Sequence, residues 1–554
     1  MFQTTYAAIE QALKTKTGLD NVLLGAGGEH ADLATTVAFV LAREQKKNPA
    51  AIAASLAEEL KSDPGLAGIS VEAKGPYINF IFGPGYVEKT LEAASRPGYG
   101  TGVARSERVV LEHTSANPNG PLHVGHIRNS IIGDTLARCF RKAGYKLEVQ
   151  YYVNDMGRQI AIVVWGFDHL DTGARDGEKS DHYVARIYIA ANRELEKTPD
   201  IVSEVDHLMQ EVEQSDPATV KRFRSAVTTC LDGFHTTMDR LNVHHDRFVW
   251  ESDFVRNGDT DRFLSKVHRM PEYHEDEKVW LDLTEFGFEK EYVLRRSDGT
   301  SVYAARDLAY HVWKGRNFDR VIDVLGADHK LIGAQLQATL GLVGEKSPDI
   351  VYFEFVSLPE GSMSTRAGKF VSADELLDEV TRQAFSEVTV RRPELGEDER
   401  REIAKAVALG AIRYDIVKVS PEKSTVFDWK EALDFERQSG PYIQYAHARA
   451  SSILEKAGDF QEAYHLADSH GIALAKHIAR YPAVIQEVIT ELKPHILAIY
   501  ARELADLFNA FYHYEPVLKS EGITRESRLT LVKAAKNTLM DSLETLGIDA
   551  LSTM

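Results

Sequence analysis

RVVLEHTSANPNGPLHVGHIRNSIIGD, residues 108 to 134, decides how the rest of the chain is read. Arg108 to His113 sets a Val-Val-Leu core between charged residues and predicts a short buried strand. Thr114 to Pro121 follows with Ser, Asn, Gly and two prolines, the composition of an ordered loop. From His123 onward Val124, Ile127, Ile131, Ile132, Leu136 and Phe140 recur at helical spacing, so the loop empties into an amphipathic helix. The N-terminus of that helix then faces the carboxyl end of the strand. Unpaired amide hydrogens and the positive end of the helix dipole attract anions there, and open α/β sheets bind ligands in that same crevice. His123 and His126 add side-chain donors, and Gly125, lacking a Cβ, lets a flat group such as an adenine ring lie on the backbone. The stretch reads as a nucleotide-phosphate site. A His-x-x-His pair on one helix face also suits zinc, but no glutamate follows His123 and no cysteine cluster completes a site, so no zinc is expected.

Outward from this stretch, a chain of 554 residues exceeds one core and predicts roughly three or four domains. Residues 1 to about 105 combine a helical start (Tyr6, Ile9, Leu13), an alanine-rich amphipathic stretch and strand-like ISVEAKGPYINFIF, a small α+β module. Residues 106 to 385 alternate strands (VVLEH, KLEVQYYV, RVIDVLG, IVYFEFVSL) with helices, as an α/β, Rossmann-like doubly wound sheet does. A polar, helix-rich stretch at about 166–275 reads as an insertion between its halves. From 386 to 554 period-3.6 segments such as LADLFNAFYHYEPVL predict an all-α bundle.

The net charge of −18 predicts little non-specific affinity for polyanions and a selective, shape-fitted contact with any RNA. Basic clusters at Arg391-Arg392, Arg400-Arg401-Lys405 and Lys476-His477-Arg480 read first as solvated helix faces. Two cysteines, Cys139 and Cys230, build neither a disulfide framework nor a zinc knuckle. With no apolar run long enough for a signal or a bilayer span, no membrane association is expected and the cytoplasm is the expected location. No dimer stripe is evident, which leans toward a monomer.

HVGH resembles the HIGH signature of class I aminoacyl-tRNA synthetases, and SANPNGPLHVGHIRNSIIGD resembles the version found in arginyl-tRNA synthetases. YYVNDMGRQI at 151–160, YAARDLAY at 303–310 and FERQSGPYIQYAHAR at 435–449 resemble further segments of that family, in the family's order. The resemblance implies an enzyme that activates L-arginine with ATP and Mg²⁺ and transfers it to the terminal ribose of tRNA(Arg), with activation itself requiring bound tRNA in some relatives. It implies an additional tRNA-binding domain at 1–105, a connective peptide within the catalytic domain, and anticodon binding by the C-terminal bundle. Where the class carries KMSKS, this chain has Ser362, Met363, Ser364, Thr365 and Arg366, so both lysines are missing. Arg366 and Lys369 are the cations left to hold the departing pyrophosphate. The position at which some relatives place a compensating lysine is Gly120.

The resemblance also distributes roles. His123 and His126 are expected at the α-phosphate and the reacting carboxylate, with Gly125, Met363 and Ser364 completing the ATP site. Recognition of a guanidinium needs acidic, planar acceptors. Asp307 is the first candidate, with Tyr303 one turn earlier on the same face. Glu112 and His329 join the pocket, and Asn117 takes the α-amino group. In the C-terminal bundle Tyr442 and Tyr445, with Gln444 and Arg449 nearby, are expected to meet unstacked bases, and Met554 to lie near the anticodon. Two other readings are an RNA-binding relative without catalysis and a different nucleotidyl transferase with an HxGH loop; intact His123, His126 and Asp307 weigh against the first, and the large helical C-terminal domain against the second.

Overall fold

Arg108–Glu112 is the central strand of a five-stranded, wholly parallel sheet. Across the sheet the order is Asp349–Phe353, Arg320–Gly326, Arg108–Glu112, Lys146–Val153 and Arg247–Trp250. The computed structural model describes all residues from 1 to 554 except 29, 30, 199, 298, 360–370 and 437. The chain builds outward from the central strand on one side, then returns to its other side with Arg320–Gly326, so the winding reverses there. A crevice at the carboxyl ends of these two strands is the place where such a sheet takes its ligand. Val109, Val110 and Leu111 are completely buried, which is why three consecutive apolar residues suit a strand covered on both faces.

Four sheet strands coincide with the segments expected from the sequence. IVYFEFVSL splits, because Glu354 turns its N–H to Pro421 at 2.9 Å and the chain changes partners. Val356–Ser357 then pairs in parallel with Thr425–Val426, outside the main sheet. The expected insertion needs one correction. Arg247–Trp250, within 166–275, is the edge strand of the main sheet. Four residues with one fully covered side chain gave no visible period. Extra structure therefore stands on both sides of this strand: helices Ser180–Lys197, Asp200–Glu213 and Pro217–Arg240 before it, and after it a three-stranded antiparallel sheet of Tyr273–Glu275, Val279–Leu281 and Tyr292–Arg295.

Helices Ala373–Arg391 and Glu397–Val417 lead into the C-terminal bundle of Gly440–Ala457, Ser469–Ile478, Tyr481–Glu491, His495–Tyr514 and Gly522–Thr545. The N-terminal module holds a four-stranded antiparallel sheet with its own core. Lys476 of the bundle pairs with Asp32 of this module at 2.7 Å. Several basic residues singled out above are spent in such pairs, including Arg401 with Glu397 and Lys405 with Glu402. Both cysteines are buried and unpaired, and among the described residues no helix is long and apolar enough to cross a membrane.

Candidate active site

The crevice is organised by the cap of one helix. His123 has extended backbone, φ −117° and ψ 174°, and is the N-cap of Val124–Lys142. Its Nδ1 accepts the Gly125 N–H at 3.1 Å, while the His123 N–H donates to Nδ1 of His126 at 3.3 Å. The two imidazoles thus satisfy amides that a Ser/Glu capping box would normally take. With both Nδ1 atoms accepting, each neutral ring carries its proton on Nε2 and presents an Nε2–H donor. Burial, with His123 as neighbour, pushes His126 down to about 3, and burial lowers His123 as well. The rings stack with centroids 3.6 Å apart and planes 23° apart. A Cβ on Gly125 would stand 2.9 Å from Cε1 of His123. The missing side chain therefore admits the histidine ring, and Gly125 also lines the cleft between the two helix ends.

A second helix points its N-terminus at the same place. Ser372 caps Ala373–Arg391 in a Ser/Glu box with Glu375, and the Ala373 N–H donates to the Leu122 carbonyl at 2.7 Å. Between these helix ends lies a cleft of about 530 Å³. Ser115, His123, His126, Asp328 and His329 give it a polar side; Phe353, Phe355, Val356 and Leu358 give it an apolar one. Phosphate oxygens suit the first and a base the second. Thr114 and Ser115, at φ 78° and 42°, are held in the left-handed region, a strain that surrounding bonds must fix. Asn129 supplies one of them, accepting the Thr114 N–H at 2.7 Å while donating to the Val324 carbonyl at 3.0 Å. Met363, Ser364, Arg366 and Lys369 lie outside the described residues.

On the other side of the central strand, a cluster of buried charge surrounds Asp307. Tyr303–Asn317 is a helix, so Tyr303 and Asp307 share a face; Tyr303 is exposed and the Asp307 side chain about a quarter so. Arg306 does not pair with Asp307. Its Nε donates to Glu251 at 2.7 Å, and Nη1 lies 3.4 Å from Glu213. Lys314, completely buried, donates to Glu112 at 2.8 Å and to Asp323 at 2.6 Å. His311 bridges Asp323 at 2.7 Å and Asp307 at 3.1 Å. Burial and Lys314 would lower His311, but the carboxylates of Asp307 and Asp323 win and raise it to about 10. Burial raises Glu112 against the pull of Lys314. Glu112, His311 and Asp323 have ligand atoms close enough for a cation, and the Lys314 ammonium is that cation.

Tyr152, Glu251 and Tyr292 were not singled out in the sequence. The hydroxyls of Tyr152 and Tyr292 are buried without a hydrogen-bond partner among the described residues. Burial raises both, and the charge of Asp307 adds to each. Tyr152 stood beside the Asn-Asp of YYVND, a polar turn at a strand's carboxyl end, which was the signal available. Asn117 is exposed, its amide 3.3 Å from that of Asn154. His329 ends a short helical turn at the cleft and is exposed.

In the C-terminal bundle Gly440–Ala457 presents Tyr445 to solvent, with Arg449 over its ring at 4.7 Å and over Tyr512 at 5.2 Å. Tyr442 is half-buried and donates to Asp506 at 2.8 Å. Gln444 is corrected: it is completely buried, its amide donating to the carbonyls of Ala406 at 3.1 Å and Asp549 at 2.9 Å, so it faces the bundle and not a base. Arg392 donates to the Met554 carbonyl at 2.7 Å, which ties the chain end to this domain.

Buried histidines make the fold sensitive to acid. Burial lowers His113 and His126 to about 3, His477 to about 4, and His245 well below its ordinary value. An unfolded histidine protonates near 6.5, so below that pH the unfolded chain binds protons that the native chain refuses. Stability from these groups is fully present above about pH 6.5 and is lost as pH falls toward 3 to 4, by roughly 1.4 kcal/mol per pH unit for each histidine. His311 has the opposite sign: its contribution, present below pH 6.5, is lost as pH rises through about 10. Unfolding at pH 5 is expected to take up about four protons from His113, His126, His245 and His477, before any carboxylate contribution. Urea midpoints between pH 5 and 7 measure this, and a flat profile would refute it.

The class of the protein follows from this fold and cap together with its similarity to known families. A family described as "tRNA synthetases class I (R), catalytic domain" matches residues 91–429. An "Arginyl tRNA synthetase N terminal domain" matches residues 5–82, and a "DALR anticodon binding domain" matches 443–554. The doubly wound domain with its His-x-Gly-His cap is that of a class I aminoacyl-tRNA synthetase. The chain is 68% identical to an arginine–tRNA ligase of Methanoregula boonei and 65% identical to one of Methanosphaerula palustris, each match covering 100% of both chains. A solved arginyl-tRNA synthetase of Thermus thermophilus superposes with a TM-score of 0.87 at 31% identity over 100% of both chains. The chain belongs to the arginyl-tRNA synthetase family.

Proposed function

We propose that this chain joins L-arginine to tRNA(Arg) in two steps at the crevice described above, with the following division of work. An arginine carboxylate oxygen attacks the α-phosphorus of ATP, the bond to the β-phosphate oxygen breaks, and pyrophosphate leaves. A hydroxyl of the terminal ribose of tRNA then attacks the arginyl carbonyl and AMP leaves. No covalent enzyme intermediate forms, so positioning and donors aimed at developing charge supply the rate. His123 and His126 donate from Nε2 to the α-phosphate region, Arg366 and Lys369 hold the pyrophosphate, and Gly125, Met363 and Ser364 complete the nucleotide site. Mg²⁺ enters as part of the ATP substrate. Asp307 binds the guanidinium beside Tyr303, with Glu112 and Lys314 forming the charged wall behind it; Asn117 takes the α-amino group and His329 borders the cleft.

Residues 1–105 and the bundle from 386 hold the tRNA, the bundle through Tyr445 and Arg449 with Tyr442 beside them. The enzyme works as a monomer in the cytoplasm. The observation that carries the reading is the His123–His126 cap itself, two stacked imidazoles whose Nδ1 atoms accept backbone amides, set at the meeting of two helix N-termini. ATP–pyrophosphate exchange across the amino acids, with and without total tRNA, tests it. Exchange with arginine alone is the expected result, and an increase on adding tRNA would show that the RNA completes the site. No exchange with any amino acid in either condition would overturn the catalytic reading.

A further inference from the structure

Arg128 is one of two arginines, with Arg413, that have no solvent exposure among the described residues, and the reaction described above does not use it. It stands on the signature helix two residues after His126. Among the described residues no carboxylate is paired with it; backbone carbonyls surround it instead. Nη1 donates to Glu354 at 2.6 Å and Phe355 at 3.2 Å, and Nη2 to Lys423 at 2.7 Å, Ser420 at 3.2 Å and Pro421 at 3.5 Å. A buried guanidinium with its donors spread over two segments fixes those segments relative to its own helix, and its planar fork makes that geometry specific. The first segment begins the apolar side of the cleft. Phe355, Val356 and Leu358 line it, and the Phe355 ring is 66% exposed although it is large and apolar. The second segment backs the first: the Thr425 N–H donates to the same Phe355 carbonyl at 3.2 Å, and the Phe427 N–H to Ser357 at 2.9 Å.

One helix therefore carries both the imidazole donors and the clamp on the facing apolar wall. We infer that Arg128 is a positioning residue for ATP, setting the distance between the phosphate-binding histidines and the Phe355–Leu358 wall that receives the base. It touches nothing around Asp307, so its effect separates the two substrates. The inference rests on the proposed arginine activation, and the unmodified enzyme in the same exchange assay tests that reading independently.

The experiment measures KM for ATP, KM for arginine and kcat in ATP–pyrophosphate exchange for Arg128→Lys, Arg128→Gln and Thr425→Pro, with circular dichroism as the check on folding. Lysine keeps the charge but reaches fewer carbonyls, so Arg128→Lys is expected to raise KM for ATP about tenfold and Arg128→Gln further, toward about a hundredfold, while KM for arginine stays within about twofold. Thr425→Pro removes the other donor to the Phe355 carbonyl and is expected to give the same one-sided change at smaller size. If Arg128→Gln fails to fold, the other two variants decide. Parallel increases in both KM values, or a folded Arg128→Lys enzyme with unaltered KM for ATP, would overturn the inference.

Discussion

His126→Ala is expected to slow arginine-dependent ATP–pyrophosphate exchange by about 10²–10³-fold, the usual cost of deleting one donor aimed at charge that develops in the transition state. The loss should fall on kcat. The ring is neutral and its Nδ1 already accepts the His123 N–H, so what remains for the substrate is an Nε2–H donor of fixed direction, preorganised before ATP arrives. A fall in kcat with KM for ATP little altered is the signature of an interaction made in the transition state; a rise in KM alone would show that the ring only binds the ground state. Near-normal exchange would remove His126 from the chemistry. The fold should survive, because the deletion frees one helix-cap amide at a cost of about 1 kcal/mol, or about 2 °C in the melting temperature for a large domain. The neutrality of the His126 ring has a further result. It should produce no acidic limb near pH 6.5 in the exchange rate, since burial, with His123 beside it, pushes it down to about 3.

The difference between what was legible in the sequence and what was not follows the range of the interactions. Strand, loop and helix around His123 are set by neighbours a few positions away, so apolar period and loop composition placed them closely: Arg108–Glu112 and Val124–Lys142 are the elements expected. What Gly125 does for the helix cap was not legible, for the complementary reason. The atom that needs the vacant Cβ volume belongs to His123, and only the cap geometry brings that ring back over the glycine. Gln444 was misread because helical spacing places polar residues on a face without saying which face is covered; two carbonyls, from Ala406 and Asp549, bury this one. Arg128 could not be recognised at all, because its partners lie 226 to 295 positions away and are backbone carbonyls, which any residue type supplies. Arg247–Trp250 was hidden by its shortness, for a four-residue edge strand carries too few side chains to show a period.

Asp307→Asn should raise KM for arginine by about a hundredfold or more, because a charge-assisted contact to a guanidinium contributes roughly 3 kcal/mol and the amide presents only one acceptor. Asp307 keeps its His311 contact but, with its side chain 28% exposed, is the most accessible of the carboxylates nearby, and the others are tied more deeply into the charge cluster. Glu251 and Glu213 are engaged by Arg306, and Asp323 receives both Lys314 and His311. Glu112 accepts Lys314 at one oxygen and the Ser115 hydroxyl, at 3.3 Å, at the other. Counting Asp307, Asp323 and an ionised Glu112 against Lys314 and a protonated His311 leaves one negative charge, which an incoming guanidinium neutralises. His311 is held protonated partly by Asp307 itself, so the substitution also withdraws support from the imidazolium and lowers its affinity for protons. The variant is therefore expected to bind arginine weakly at every pH between 6 and 9, with KM for ATP unchanged, and lysine should not replace arginine, since an ammonium lacks the planar fork. Separate KM measurements for the two substrates in the exchange assay decide the matter: an unchanged KM for arginine would move guanidinium recognition away from Asp307, and a rise shared with ATP would mean that the helix Tyr303–Asn317 had shifted instead of losing a contact.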